Sequence, residues 1–227
     1  MTQTEKQLSE KESLDLIATM INKAKDSYHN TGISAIMWGS LITICALVKL
    51  SEIHFNYRLP FDIYLLTILA VIPQIFISIK EKKSRRVKSY DDAYMDYIWL
   101  AFGVCIFLMI FIVNTVFAEL GPVMTDYKVL AQGRTAWIDF KFSEYVAPLF
   151  LLLYGIPTFI TGAACRFKPM LWGGLLCWAS CILALFTTIK IDLLLTAISA
   201  IFAWLIPGII MEVDYRKAKK ELAEANV

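Results

Sequence analysis

Apolar residues in this chain fall in long, nearly continuous blocks, not in the alternating pattern of half-buried strands or the single stripe of a surface helix. Six blocks run at about residues 31–50, 62–79, 98–120, 145–164, 170–189 and 192–211, and the few Lys, Arg, Asp and Glu in them sit at their ends. A bilayer core about 30 Å thick takes about 20 helical residues to cross. A charge at the centre of such a helix costs about 2.5–3.5 kcal/mol on insertion scales. One block of this kind could be the core helix of a large soluble protein. Six in 227 residues predict an all-α membrane protein, a six-transmembrane-helix bundle occupying residues 31–211.

The segments outside the blocks have patterns of their own. In residues 1–30, Leu14, Ile17, Ile21 and Tyr28 form one apolar stripe on an otherwise charged stretch, and Ser9 and Glu12 have capping-box spacing. This predicts a cytoplasmic N-terminal amphipathic helix. It either rests on the membrane surface or the bundle, or offers Leu14, Ile17, Ile21 and Tyr28 as a docking face for a cytoplasmic protein partner or a second copy of the chain. Gly121-Pro122 reads as the stop of the third helix. Ile138, Phe140 and Phe142 alternate with polar residues, which makes 121–144 an outer loop with a strand-like or interfacial stretch. Residues 212–227 read as a charged cytoplasmic tail.

Charge sets the orientation. Sixteen of the 22 Lys and Arg fall in the N-terminal segment, the loop that follows the second block, the loop that follows the fourth, and the C-terminal tail; six fall in the other three loops. The positive-inside rule then places both termini in the cytoplasm, and an even number of crossings agrees. The basic run over 80–88 suits anionic headgroups as well as topology. The first thirty residues have no apolar core of signal-peptide length, so the chain is expected to insert through its own helices. Trp99, Trp172 and Tyr145 fall near block ends, where amphipathic aromatics prefer to sit. Trp38, Trp178 and Trp204 lie deeper. A formal net charge of +2 does not suggest a nucleic-acid surface, so no nucleic-acid partner is expected; the bilayer is.

Each even-numbered block carries Ile-Pro, at Pro73, Pro157 and Pro207, with a basic residue seven to nine positions on. Trp38 to Pro73 and Trp172 to Pro207 have the same separation, which suggests three related hairpins. The prolines kink their helices, Gln74 and Thr158 are neutral polar groups that follow two of them, and Asn114 is another in the outer half of the third block. Pro73, Gln74, Asn114, Pro157, Thr158 and Pro207 are therefore the candidate intramembrane polar or kink site. They serve either as an open vestibule or as ordinary interhelical bonding. Gly155, Thr158 and Gly162, and Ala197, Ala200 and Ala203, read as packing seams. Glu119, Lys190 and Asp192 are expected at wet membrane edges.

Chemistry-bearing motifs are few. His29 and His54 fall on opposite sides of the membrane, which excludes His-cluster metal sites. There is no Gly-rich phosphate loop and no Gly-x-Ser-x-Gly elbow. The five cysteines suit small apolar packing. No catalytic residue, metal or cofactor is expected. A lipid-modifying enzyme would need Glu52, Glu119, Asp126 or Asp139 to converge with a base.

The run Leu14–Tyr28 followed by Met37-Trp38-Gly39, together with Cys165-Arg166-Phe167-Lys168-Pro169 followed by Trp172-Gly173-Gly174, resembles a family of uncharacterised six-helix bacterial inner-membrane proteins. The resemblance covers nearly the whole chain. It implies an inner-membrane location and a signalling or regulatory setting, and offers no functional residues. Three functions stay open: a non-enzymatic sensor, scaffold or regulator; a small transporter for a neutral or lipid-like substrate; and a lipid-modifying enzyme.

Overall fold

The computed structural model describes residues 31–84, 90–130 and 142–224, and among these every regular element is a helix. Four helices are long and apolar enough to cross a membrane: Ile33–Phe55, Tyr94–Leu120, Tyr145–Ala164 and Ile189–Glu221. A fifth apolar helix, Lys168–Ala184, is shorter. The expected N-terminal helix, with Leu14, Ile17, Ile21 and Tyr28, lies outside the described residues.

Helix α1 (Ile33–Phe55) ends where Asn56 turns left-handed, at φ 59°, a conformation that Asn tolerates better than most residues. Glu52 then holds the turn that follows. Its carboxylate accepts the Leu59 N–H at 2.8 Å and pairs with Lys49 at 3.0 Å. The second block is not one rod. It divides into α2 (Leu65–Leu69) and α3 (Val71–Ser84) on either side of Ala70. Pro73 has no N–H for the Leu69 carbonyl, and the break falls there.

Helix α4 (Tyr90–Leu130) corrects an expectation. It runs through Gly121-Pro122 to Leu130 instead of stopping at residue 120. A proline removes one backbone bond, here to Ala118, and its ring bends a helix without necessarily ending it. Helix α5 (Phe142–Ala164) likewise begins inside the stretch read as strand-like, and contains both Pro148 and Pro157. The expected 121–144 loop is thus shorter, and Ile138 and Phe140 lie outside the described residues.

The turn from α5 to α6 (Lys168–Ala184) explains part of the Cys165–Pro169 run. Arg166 is left-handed, at φ 53°, and the Phe167 N–H reaches back to Gly162 O at 2.8 Å. That is the Schellman closure of a helix end. Pro169 then sits in the first turn of α6, where its missing N–H costs nothing. Helix α6 is shorter than the predicted 170–189 span. The chain turns at 185–188, and α7 (Ile189–Ala200) begins there. It continues through a π-helical turn, Ile201–Leu205, into α8 (Ile206–Glu224). Ile206 N–H bonds to Ile201 O, and the wider turn just before Pro207 accommodates its lost bond.

This last long helix is the centre of the bundle, packed against α1, α5 and α6. Ala197, Ala200 and Ala203 are buried along it. A Cβ added at Gly39 of α1 would lie 2.5 Å from Leu205 N, and one at Gly173 of α6 would lie 2.5 Å from Ala203 Cα, so backbones meet where side chains are absent. Gly155 and Gly162 of α5 lie against Trp178 and Leu171 of α6 in the same way. Helices α3 and α4 are peripheral. Helix α3 leans on α1, and α4 on α5.

Candidate functional site

The polar groups inside the apolar helices form two separate seams. In the first, Trp38 of α1 donates its indole N–H to Gln74 Oε1 of α3 at 3.0 Å. The Gln74 amide donates in turn to Ser34 Oγ at 3.2 Å and Ser78 Oγ at 3.1 Å. Both amide protons and the carbonyl are thereby used. Thr31, two residues before α1, adds a hydrogen bond to Glu81 of α3.

In the second seam, Thr158 of α5 is fully buried. It donates to the Tyr154 carbonyl at 2.7 Å, one turn back, and accepts the Trp204 indole N–H at 2.8 Å. Trp204 stands among aromatic rings: Tyr154 at a centroid distance of 4.9 Å and Phe102 of α4 at 6.1 Å. The Thr158–Trp204 bond therefore sits in a dry aromatic core that joins α4, α5 and the central helix. A further bond, Ser199 to Ser180 at 3.1 Å, ties α7 to α6.

The six residues of the candidate site are not brought together. Gln74 lies in the α1–α3 seam and Thr158 in the α5–central-helix seam. Asn114 is exposed on α4, bonded to its own helix through Ile110 O at 2.8 Å. The prolines differ as well. Pro73 is exposed beside a helix break, Pro157 is buried inside a continuous helix, and Pro207 is buried behind a π turn. Three hairpins with one shared kink are not seen. The best-formed hollows among the described residues are open apolar grooves, not a vestibule. One of about 500 Å³ lies between α6 and the central helix, beside Trp172 and Phe202. The other, about 400 Å³, lies between α1 and α7, beside Leu47 and Leu194, with His54 and Lys190 at its rim.

Asp192 is a second correction. It was expected at a wet edge and is completely buried. It stands in the first turn of α7, where a carboxylate suits the helix dipole, and its Oδ1 accepts the Thr187 hydroxyl at 2.5 Å. Of the carboxylates a lipid enzyme would need, Glu52 is engaged with Lys49 and Leu59 N–H on α1, and Glu119 is exposed on α4. Asp139 lies outside the described residues, as does the side chain of Asp126. No group of three or more His, Cys, Asp or Glu suited to a metal ion occurs among the described residues.

The deep tryptophans are what sequence reasoning missed. Trp38 and Trp204 donate across a helix interface, and Trp178 points its indole N–H at Leu152 O, 3.4 Å away. The signal was available, because an indole N–H far from a membrane edge needs an acceptor.

Fold and polar seams together define a class: an all-helical, membrane-type bundle in which internal polar groups bond helix to helix. The chain matches no protein-family model, no curated protein and no solved structure.

Proposed function

We propose that this chain is a six-crossing protein of the bacterial inner membrane, with both termini in the cytoplasm, that acts without catalysis as a sensor, scaffold or regulator. The observation that carries the reading is the use made of Gln74 and Thr158. A translocation path needs polar groups turned toward a shared space, and these two are committed to neighbouring helices in different seams. The transporter reading has Asn114 left to it, on the outer surface of α4. The six-crossing count draws support from α2 and α3, whose apolar residues run from 65 to 79, and from α6, whose 17 residues are at the lower limit for a crossing. Orientation rests on the Lys and Arg distribution.

In this reading the working surface is cytoplasmic, and the stripe Leu14, Ile17, Ile21 and Tyr28 is the docking face for a protein partner. The test is affinity capture from native membranes into lipid nanodiscs, followed by mass spectrometry, with the full chain and with residues 1–28 removed. A stoichiometric protein retained by the full chain and lost on truncation is the expected result. A chain that carries only a defined lipid or small molecule, with or without residues 1–28, would contradict the proposal and move the case to transport or lipid chemistry.

A further inference from the structure

Helix α4 meets the rest of the bundle along one face. Trp99, Phe102 and Ile106 pack toward the core and Met95 is buried beside them, while most of the apolar stretch Tyr94–Leu120 is exposed or half-buried. On one flank, Leu100, Gly103, Phe107, Phe111, Asn114 and Ala118 recur at intervals of three and four, which places them on a single stripe. All six are exposed, and Leu100, Phe107 and Phe111 are each more than 60% accessible, at 63%, 69% and 64%. A Cβ built on Gly103 meets nothing within 4 Å.

Apolar residues facing outward need only lipid tails. Asn114 needs more. One amide proton goes to Ile110 O of its own helix at 2.8 Å; among the described residues the second proton and Oδ1 have no partner. Asn114 lies six positions before Leu120, about 9 Å along the helix. Its short side chain lies within the apolar stretch, where hydrocarbon supplies neither donor nor acceptor.

We infer that this flank of α4 is the interface with a second copy of the chain, paired about a two-fold axis along the membrane normal through Asn114. Copies in one membrane share orientation and depth. A two-fold axis therefore sets each Asn114 against its counterpart, and one carboxamide donates an N–H to the other's Oδ1 while accepting the reciprocal bond. A side chain that is both donor and acceptor is complementary to itself. A lipid tail cannot satisfy it. Gly103, three turns away on the same stripe, leaves room for the two backbones to approach.

The inference rests on α4 crossing the bilayer, which is part of the function proposed above. The experiment is single-molecule counting of fluorescently labelled full-length chain in proteoliposomes over a range of lipid dilutions, for wild type, Asn114→Leu and Asn114→Gln. The wild type is expected to dimerise. Asn114→Leu is expected to weaken the dimer about tenfold, from the loss of two interhelical bonds, and Asn114→Gln to keep most of it. Leu is more apolar than Asn at a lipid-facing position, so insertion should not suffer. Oxidation should cross-link an Ala118→Cys variant, while native Cys105, on the opposite face of the helix from Asn114, should not link to its copy. A wild type that stays monomeric at every dilution overturns the interface, as does a dimer that Asn114→Leu leaves unchanged. Membrane-impermeant maleimide separates the two levels. If Cys105 is protected while the chain is monomeric, the crossing stands and the interface falls. If Cys105 is labelled from water, α4 does not cross and the interface falls with it.

Discussion

The hydrogen bond from Trp204 to Thr158 shows how single residues hold this bundle. Thr158 is fully buried and Trp204 nearly so, at 4% exposure, so neither can turn to water when its partner is lost. Thr158→Val keeps the shape and leaves the indole N–H without an acceptor, a cost of about 1–3 kcal/mol. Trp204→Phe removes the donor and some ring packing, but the Thr158 hydroxyl still donates to Tyr154 O. Thermal unfolding in detergent micelles should rank both variants below wild type, and the double variant should lose less than the sum of the two. Thr158 was recognisable in the sequence as an intramembrane polar group. Its partner was not, because Trp204 is 46 residues away and an indole deep in an apolar block has no spacing rule that names its acceptor.

Elements divide into those whose stability lies in close packing and those tied on by polar bonds. The central helix meets α1 and α6 at glycines, backbone against backbone. Helix α3 has few packing contacts and carries Gln74, which gathers Trp38, Ser34 and Ser78. Membrane interhelical bonds average about 0.6 kcal/mol each. Gln74→Leu should therefore cost little in overall stability yet free α3 from α1. Spin labels at residues 36 and 79 should show a broader and longer distance distribution in that variant than in wild type. Helix existence was legible from the apolar blocks, since a 20-residue run without charge has few alternatives to a spanning helix. Boundaries were less so. Pro122 was read as a stop and lies within α4, while Pro73 was read as a kink and lies next to a break. Proline reports a missing donor, and the packing around it decides between bend, break and π turn.

At the scale of the whole molecule, the proposal is a membrane bundle with Gln74 and Thr158 bonded to neighbouring helices and its working surfaces at the edges: residues 1–30, proposed to be cytoplasmic, and the Asn114 flank of α4. Sequence pattern gave the class because hydropathy is a sum over many residues. It could not give the site, because Gln74, Asn114 and Thr158 are distinguished by which helix stands beside each, a property of the packing. The central claim is the six-crossing topology with both termini on one side. It is tested most directly by placing single cysteines at positions 5, 57, 84, 134, 167, 187 and 222 of a cysteine-free chain and labelling intact cells with a membrane-impermeant maleimide. The account predicts labelling from outside at 57, 134 and 187, and at 5, 84, 167 and 222 only after the membrane is opened. Position 57 or 187 protected in intact cells, or the two termini on opposite faces, would contradict it.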